Sequence, residues 1–431
     1  MNYRVLLLLN ALFCLLPFVN AQDSAATEPF AFGDFSWLNG TNRIKETPLK
    51  NDHFQAGVYF DGYYCFSLNR PQDHTLGGST CVGRHNEFVP SHISFGLQTN
   101  YKNIIGKIYY QTGSILNLVQ ETDKSVKRGR NSTAGDLKNL REVSAGYHFN
   151  KWHGINLEMG IFTSLIGLES YITQENWYYQ HAFVADFTPY YLTGIRTQIY
   201  PTDKLEIELQ LLNGWQDYDK FNEGFGGGMS VNYRPKEWIA LDGNLYYGHD
   251  TKNRPELFRF HHDHSLQMRV YNKPHSKRIS KAAFCINNHY GFENNKPLLP
   301  ELSKHVFIGS NAAVRLWFNQ NKVGLSLRGG YVSDQGRYLA LAPTEDGFIP
   351  KSTGAKEDAF AAWDAATCLD FMPNDFVTFR MEWCSRFSNV PYYAGRRGTT
   401  SIDGWQGTPG AFTPDLSKQE HRFLLAVNFR M

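Results

Sequence analysis

Beyond residue 21 this chain contains no long apolar run, and its mean hydropathy is −0.43. That excludes a bundle of membrane-spanning helices, each of which needs about 20 consecutive apolar residues. It leaves room for a membrane barrel, whose strands turn half their side chains into a wet bore. Charge of one sign is also missing. The formal net charge is +2, which provides no basic footprint for a nucleic-acid partner. Cysteine is scarce: past Cys14 only Cys65, Cys81, Cys285, Cys368 and Cys384 remain. Their odd number and the lack of a C-x-x-C pair argue against a metal knuckle or a disulfide framework. Cys65 and Cys81 flank the first long loop and either bridge in an oxidising space or stay as thiols. Catalytic signatures are absent as well. There is no G-x-S-x-G and no H-E-x-x-H, and Gly77-Gly78-Ser79 lacks the lysine of a phosphate-binding loop and reads as a flexible loop. Neither an internal repeat nor a Ser/Pro linker divides the chain. No enzyme activity, no cofactor and no metal is therefore expected, with a triad assembled in space left open.

The N-terminus carries a secretory leader. Arg4 supplies the charge, Val5 to Phe18 the apolar core, and Val19-Asn20-Ala21 the small-residue cleavage site. Residues 1–21 are expected to be removed, leaving a mature chain that starts at Gln22. Residues 22–53 form an N-terminal segment that lies in the periplasm or packs in the lumen. Within it, Gly33-Asp34-Phe35-Ser36-Trp37-Leu38-Asn39-Gly40 is too rich in packing groups for a free tail.

What the chain does have is two-residue periodicity. In the last stretch Phe423, Leu425, Val427, Phe429 and Met431 share one face, and Arg422, Asn428 and Arg430 the other. Leu205, Ile207, Leu209 and Leu211 interleave with Glu206, Glu208 and Gln210. Val377, Phe379, Met381 and Trp383 interleave with Thr378, Arg380 and Glu382, and Ile155, Leu157, Met159 and Ile161 with Asn156 and Glu158. About sixteen strands follow from such patterns. They begin near Phe54, Phe88, Ile104, Arg141, Ile155, Gly194, Leu205, Gly226, Trp238, Phe258, Ile279, His305, Val323, Ala359, Phe376 and Lys418.

Connection lengths alternate. Short ones fall at Lys102-Asn103, Asn150 to Gly154, Pro201 to Lys204, Arg234 to Glu237, Lys273 to His275, Asn319 to Lys322 and Pro373 to Asp375. Long ones include Ile115 to Leu140, Leu168 to Thr193, Ser333 to Asp358 and Asn389 to Leu416. Short periplasmic turns alternating with long outer loops are the habit of outer-membrane barrels. A soluble sandwich has no reason to segregate its long loops, and its outward face is usually charged. Here the apolar face is aromatic-rich (aromatics make up 15% of the chain) and the polar face carries Arg and Glu at mid-strand. The expected fold is all-β: a transmembrane antiparallel β-barrel over residues 54–431 in a Gram-negative outer membrane, with both termini in the periplasm.

Across nearly the whole mature chain the sequence resembles the Bacteroidetes putative β-barrel porin family, described as OmpL-like. The resemblance rests on Gly33 to Gly40, Gly83-Arg84-His85-Asn86-Glu87-Phe88, Ala145-Gly146-Tyr147-His148-Phe149-Asn150 and Glu175-Asn176-Trp177. Thr188-Pro189, Gly194-Ile195-Arg196, Asn213-Gly214-Trp215 and Ser388-Asn389-Val390-Pro391-Tyr392 add to it. It implies an outer-membrane porin and no particular solute. The expected activity is passive diffusion of small hydrophilic solutes or ions. The alternatives are an accessory or structural barrel without an open pore and a barrel-embedded hydrolase. Expected partners are outer-membrane lipid, the solutes and the barrel assembly machinery. Analogy with general porins adds a homo-oligomer, a trimer, to the expected partners.

The long loop from Leu168 to Thr193 is the candidate constriction. It holds Glu169, Glu175 and Asp186, no Lys or Arg, and the aromatic residues Trp177, Tyr178 and Tyr179 among others. Folded inward, its carboxylates would face a basic wall of Arg196, Arg328, Arg380 and Arg422 across a narrow gap, setting a transverse field that orients dipolar solutes. The loop capping the outside is the alternative, with the arginines simply stiffening the wall. The run His261-His262-Asp263-His264 looks like metal chemistry. On a strand, however, His261 and Asp263 point one way and His262 and His264 the other. Two ligands on a face fall short of a metal set, so the run reads as a polar strand near the outer rim. If the loop lines the pore, neutralising Glu169, Glu175 and Asp186 together should lower cation preference in bilayer recordings; an unchanged reversal potential would remove it from the pore.

Overall fold

A computed structural model describes residues 28–121, 123, 125, 135, 137–220, 222–251, 254–294, 305–336, 338–339, 359–400 and 413–431. The expected leader and its expected cleavage after Ala21 lie outside these residues. Sixteen strands close into one antiparallel barrel: β1 (Gln55–Ser67), β2 (Phe88–Tyr101), β3 (Ile104–Thr112), β4 (Leu140–Phe149), β5 (Ile155–Thr163), β6 (Tyr191–Thr202), β7 (Leu205–Leu212), β8 (Gly226–Lys236), β9 (Ile239–Gly248), β10 (Phe258–Asn272), β11 (Ile279–Asn294), β12 (His305–Phe318), β13 (Val323–Gln335), β14 (Ala359–Phe371), β15 (Val377–Ser388) and β18 (Gln419–Arg430). The seam closes where β1 pairs with β18, Gly62 opposite Val427 and Cys65 opposite Leu424. Two short strands, β16 (Tyr393–Ala394) and β17 (Leu416–Ser417), form a ribbon in the last long connection. No helix among the described residues is long and apolar enough to cross a membrane; the crossing is made by strands.

Each strand starts within three residues of its expected position. The largest offset is β6, which begins at Tyr191 rather than Gly194, because Tyr191 already pairs with Thr163 of β5. The aromatic run Tyr190-Tyr191 resembled the loop before it. Connections alternate as read. Lys102 and Asn103 both adopt positive φ (49° and 67°), the pair of left-handed residues that a two-residue hairpin needs to follow strand twist.

The barrel is inside-out. On β15, Phe379, Met381 and Trp383 are exposed while Thr378, Arg380 and Glu382 are buried. On β18, Leu425 is exposed while Arg422 and Asn428 are buried. In water this arrangement would cost roughly 25 cal/mol for every Å² of exposed apolar surface; against lipid that cost disappears. Among the described outward residues named above, one breaks the pattern. Ile161, expected outward on β5, is buried among Tyr171, Tyr190, Tyr191 and Tyr218, where the outer end of the strand meets loop aromatics. Cys65 and Cys81 do not bridge. Both are buried free thiols, as are Cys285, Cys368 and Cys384.

These faces make a direct test. Leu209 is exposed and its neighbour Gln210 is buried on the bore side. Leu209→Arg should destabilise the folded barrel by about 2–4 kcal/mol if it lies near mid-bilayer, and Gln210→Arg, which would sit beside Glu208, by much less. Equal costs in urea unfolding from lipid vesicles would reverse the assignment of faces.

Candidate functional site

The connection between β5 and β6, residues 164–190, folds into the bore. An irregular segment there has main-chain carbonyls with no ladder partner, and buried ones must be satisfied. Inward-facing arginines do this. Arg380 of β15 donates from Nη1 to the carbonyls of Thr173 (2.7 Å) and Tyr178 (3.0 Å) and from Nη2 to that of Asn176 (2.5 Å). Arg315 of β12 donates to the Trp177 carbonyl at 2.8 Å, Arg328 of β13 to Gln180 at 2.5 Å and Arg386 of β15 to His181 at 2.7 Å. From the same wall Glu382 accepts the amides of Tyr179 (2.6 Å) and Gln180 (3.2 Å).

Four of these guanidiniums also carry a carboxylate. Arg315 and Arg380 share Asp370 (2.7 and 3.1 Å), Arg328 pairs with Asp364 (2.8 Å) and Arg386 with Asp186 of the loop (3.0 Å). Arg422 pairs with Glu420 and donates to Gln180 Oε1 at 3.0 Å. Such fork geometry suits Arg better than Lys, because several donors lie in one plane. The Arg328 guanidinium also stacks 4.3 Å from the centre of the Tyr178 ring.

The expected constriction residues all lie in this assembly. Trp177, Tyr178 and Tyr179 are buried. The Tyr179 hydroxyl and Thr173 Oγ1 both donate to Asp61 Oδ2, each at 3.0 Å. Glu169 accepts from the Tyr178 hydroxyl (2.8 Å), Asn311 Nδ2 (3.2 Å) and the Ala182 amide (2.9 Å). Burial raises its carboxyl above the usual range, against the pull of Arg328. Glu175 pairs with Arg430. Asp186 accepts the Thr80 amide (3.0 Å) and hydroxyl (2.9 Å) from the β1–β2 connection as well as Arg386.

Of the basic wall, Arg328, Arg380 and Arg422 reach the loop. Arg196 does not: it pairs with Glu158 at 2.7 Å and Glu208 at 3.9 Å on the opposite wall. The picture of two charged surfaces facing each other across a gap needs correction. The charges touch, and most of the arginine bonds that reach the loop end on its main-chain carbonyls, because the loop's backbone needs partners more than its carboxylates do. Arg315, Arg386, Asp61 and Glu382 were missed, although all four stand on inward positions of the same alternation.

The N-terminal segment fills the bore from the side of the short turns. Phe30 N donates to the Asp203 carbonyl (2.8 Å) and Trp37 Nε1 to that of Glu237 (3.0 Å), both in or beside short turns. Its tip meets the loop. Asn39 Oδ1 accepts the Trp177 amide (2.8 Å), and Trp177 Nε1 donates to the Trp37 carbonyl (3.0 Å). Gly40, at φ +76°, lets the chain turn there; a Cβ would lie 2.0 Å from the Leu168 carbonyl oxygen. With loop and segment in place, the inward faces of β10 to β12, β14, β15 and β18 are buried, apart from half-buried His305 and Arg430 at strand ends. On β3 to β9 the inward face is half-buried toward the short turns, at Lys107, His148, Asn156, Gln198, Glu206, Asn232, Arg234 and Asp242, and buried further out, at Gln111, Arg141, Ser144, Glu158, Arg196, Glu208, Gln210 and Asn244.

A closed sixteen-strand barrel with an inward loop is the architecture of an outer-membrane porin. The family described as "Putative beta-barrel porin-2, OmpL-like" matches residues 53–430, and the chain belongs to it. Its fold is similar to that of OprB from Pseudomonas putida, at 10% identity and a TM-score of 0.54 over 95% of this chain and 100% of that one. It is also similar to the anion-selective porin from Comamonas acidovorans, at 7% identity and a TM-score of 0.50 over 88% of this chain and 99% of that one. No curated protein matches the chain. The protein is thus an outer-membrane porin by family.

The Asp186–Arg386 pair tests the clamp. Asp186→Ala leaves a buried guanidinium without its carboxylate and should cost about 3–5 kcal/mol. Glu175→Ala, whose partner Arg430 is only half-buried, should cost less. Urea unfolding of the refolded proteins compares the two; equal losses would remove the special place given to Asp186.

Proposed function

We propose that this porin passes small hydrophilic solutes or ions passively along the side of its bore lined by β3 to β9. The 164–190 loop is the constriction on that route, with Glu169, Glu175, Asp186, Trp177, Tyr178 and Tyr179 holding its shape and Arg328, Arg380 and Arg422 anchoring it. Arg196 belongs to the wall of the route itself. The observation that carries this reading is the asymmetry of the bore: packed along β14, β15 and most of β18, and polar and half-open on the short-turn half of β3 to β9, whose outer half is buried at Gln111, Arg141, Ser144, Glu158, Arg196, Glu208, Gln210 and Asn244. Near the outer end of that side, Tyr171, Tyr190, Tyr191 and Tyr218 form a cluster with Ile115 and Val119. Through-passage therefore requires the loop to shift, so conductance is small or intermittent in the resting state.

Transport is read as non-catalytic; lipid or peptide hydrolysis by the pure protein would overturn that. Homotrimerisation, cleavage after Ala21 and recognition by the barrel assembly machinery are proposals that follow from the porin class. The packed bore also favours a second reading, an accessory barrel without an open pore. Single-channel recording separates the two. The wild type should show small conductance steps, and Arg380→Ala, which frees three loop carbonyls, should show larger ones. Silence from both proteins would leave the accessory reading in possession.

A further inference from the structure

The run His261-His262-Asp263-His264 gains a partner that strand alternation within β10 could not supply. On β11, His289 stands directly opposite Asp263 in register, and His261 lies two residues along on the same inward face. All three are buried. One ligand atom from each lies within 4.8 Å of the others, and His261 Nε2 is 3.0 Å from His289 Nδ1. That is near the roughly 3.3 Å nitrogen–nitrogen edge of a tetrahedron with metal–nitrogen bonds of about 2.0–2.1 Å.

The surrounding hydrogen bonds fix a lone pair on His289 and allow one on His261. Asn287 Nδ2 donates to the His264 carbonyl (3.2 Å), so Asn287 Oδ1 faces His289 Nε2 at 2.7 Å and must accept its proton. His289 Nδ1 is then a lone pair. The Tyr338 hydroxyl donates to the Phe260 carbonyl (2.9 Å), and its oxygen lies 3.0 Å from His261 Nδ1. With that bond made, His261 Nδ1 carries the ring proton and Nε2 is a second lone pair aimed at the first. Two facing lone pairs repel; a cation between them turns the repulsion into coordination. Without one, the Tyr338 proton must leave Phe260 so that His261 Nε2 can donate. Asp263 is oriented too: the Gly167 amide donates to Oδ1 (3.0 Å) and Asn244 Nδ2 to Oδ2 (2.9 Å). Every ligand thus has the outer partner that metal-binding residues usually have.

We propose that His261, Asp263 and His289 form a binding site for a borderline divalent transition-metal ion, with zinc as its probe. Two imidazoles and a carboxylate suit that class and leave a position for water or solute. Gly167 opens the constriction loop, so an ion here ties the wall to the root of that loop. A second cluster, Cys81, His181 and Asp186, is the weaker candidate. Its carboxylate already holds Arg386 and Thr80, and a cation would sit beside a guanidinium.

The test is zinc titration of the chelator-treated, refolded protein in detergent, read by calorimetry and by the heat-modified gel shift that reports folding. The expected result is one zinc per chain and a raised unfolding temperature. His289→Asn and Asp263→Asn should lose it, Tyr338→Phe should bind roughly 10–100-fold more weakly, and His264→Ala and Cys81→Ser should bind as wild type. If the ligand variants fail to fold, wild-type stoichiometry together with Tyr338→Phe decides. No saturable binding by the wild type, unchanged affinity in Tyr338→Phe, or loss in Cys81→Ser would overturn the site.

Discussion

A guanidinium turned into the bore of a barrel cannot be left alone once water is excluded from it. Removing an ion from water costs several kcal/mol even after relaxation, and only a counter-charge with further acceptors recovers it. Arg315, Arg328, Arg380, Arg386 and Arg422 are all nine-tenths or more buried here. Each meets the requirement twice over, with a carboxylate and with an oxygen of a folded-in connection. The loop has the complementary need, because its unladdered carbonyls lack donors. Neither partner can be buried without the other, and this mutual requirement fixes where the loop lies.

The membrane imposes the same logic from outside. A strand that shows Phe379, Met381 and Trp383 to lipid must send Arg380 and Glu382 inward. The greasy skin and the charged bore are one sequence pattern seen from two sides. Where inward charges gather on β12 to β15 and β18, the bore packs. Where they are fewer and interspersed with Asn and Gln, on the short-turn half of β3 to β9, it stays half-open. The proposed route rests on that division more than on the barrel alone, since an unfilled barrel of this size would be a wide general pore.

Much of this was legible in the sequence. Two-residue alternation located the strands, since a one-residue slip would have put Arg422 or Glu382 in lipid. Alternating loop lengths set both ends of the barrel. The aromatic, acidic loop stood out as the candidate constriction, but its composition fitted an outer cap equally well. What could not be read was pairing between distant segments. Asp186 meets Arg386 across two hundred residues, and Trp177 meets Asn39 across nearly one hundred and forty. His289 joins His261 only through strand register, which local periodicity does not contain. Ile161 failed for a related reason: strand parity assigns it a face, and loop aromatics then bury it.

Amide hydrogen exchange of the protein in lipid nanodiscs tests the central claim, that inward arginines and Glu382 hold the loop inside the bore. The amides of Tyr179 and Gln180 bond to Glu382, and they should exchange as slowly as those of β15. Exchange as fast as at exposed Glu46 and Thr47 would show the loop standing free in water and would contradict the account.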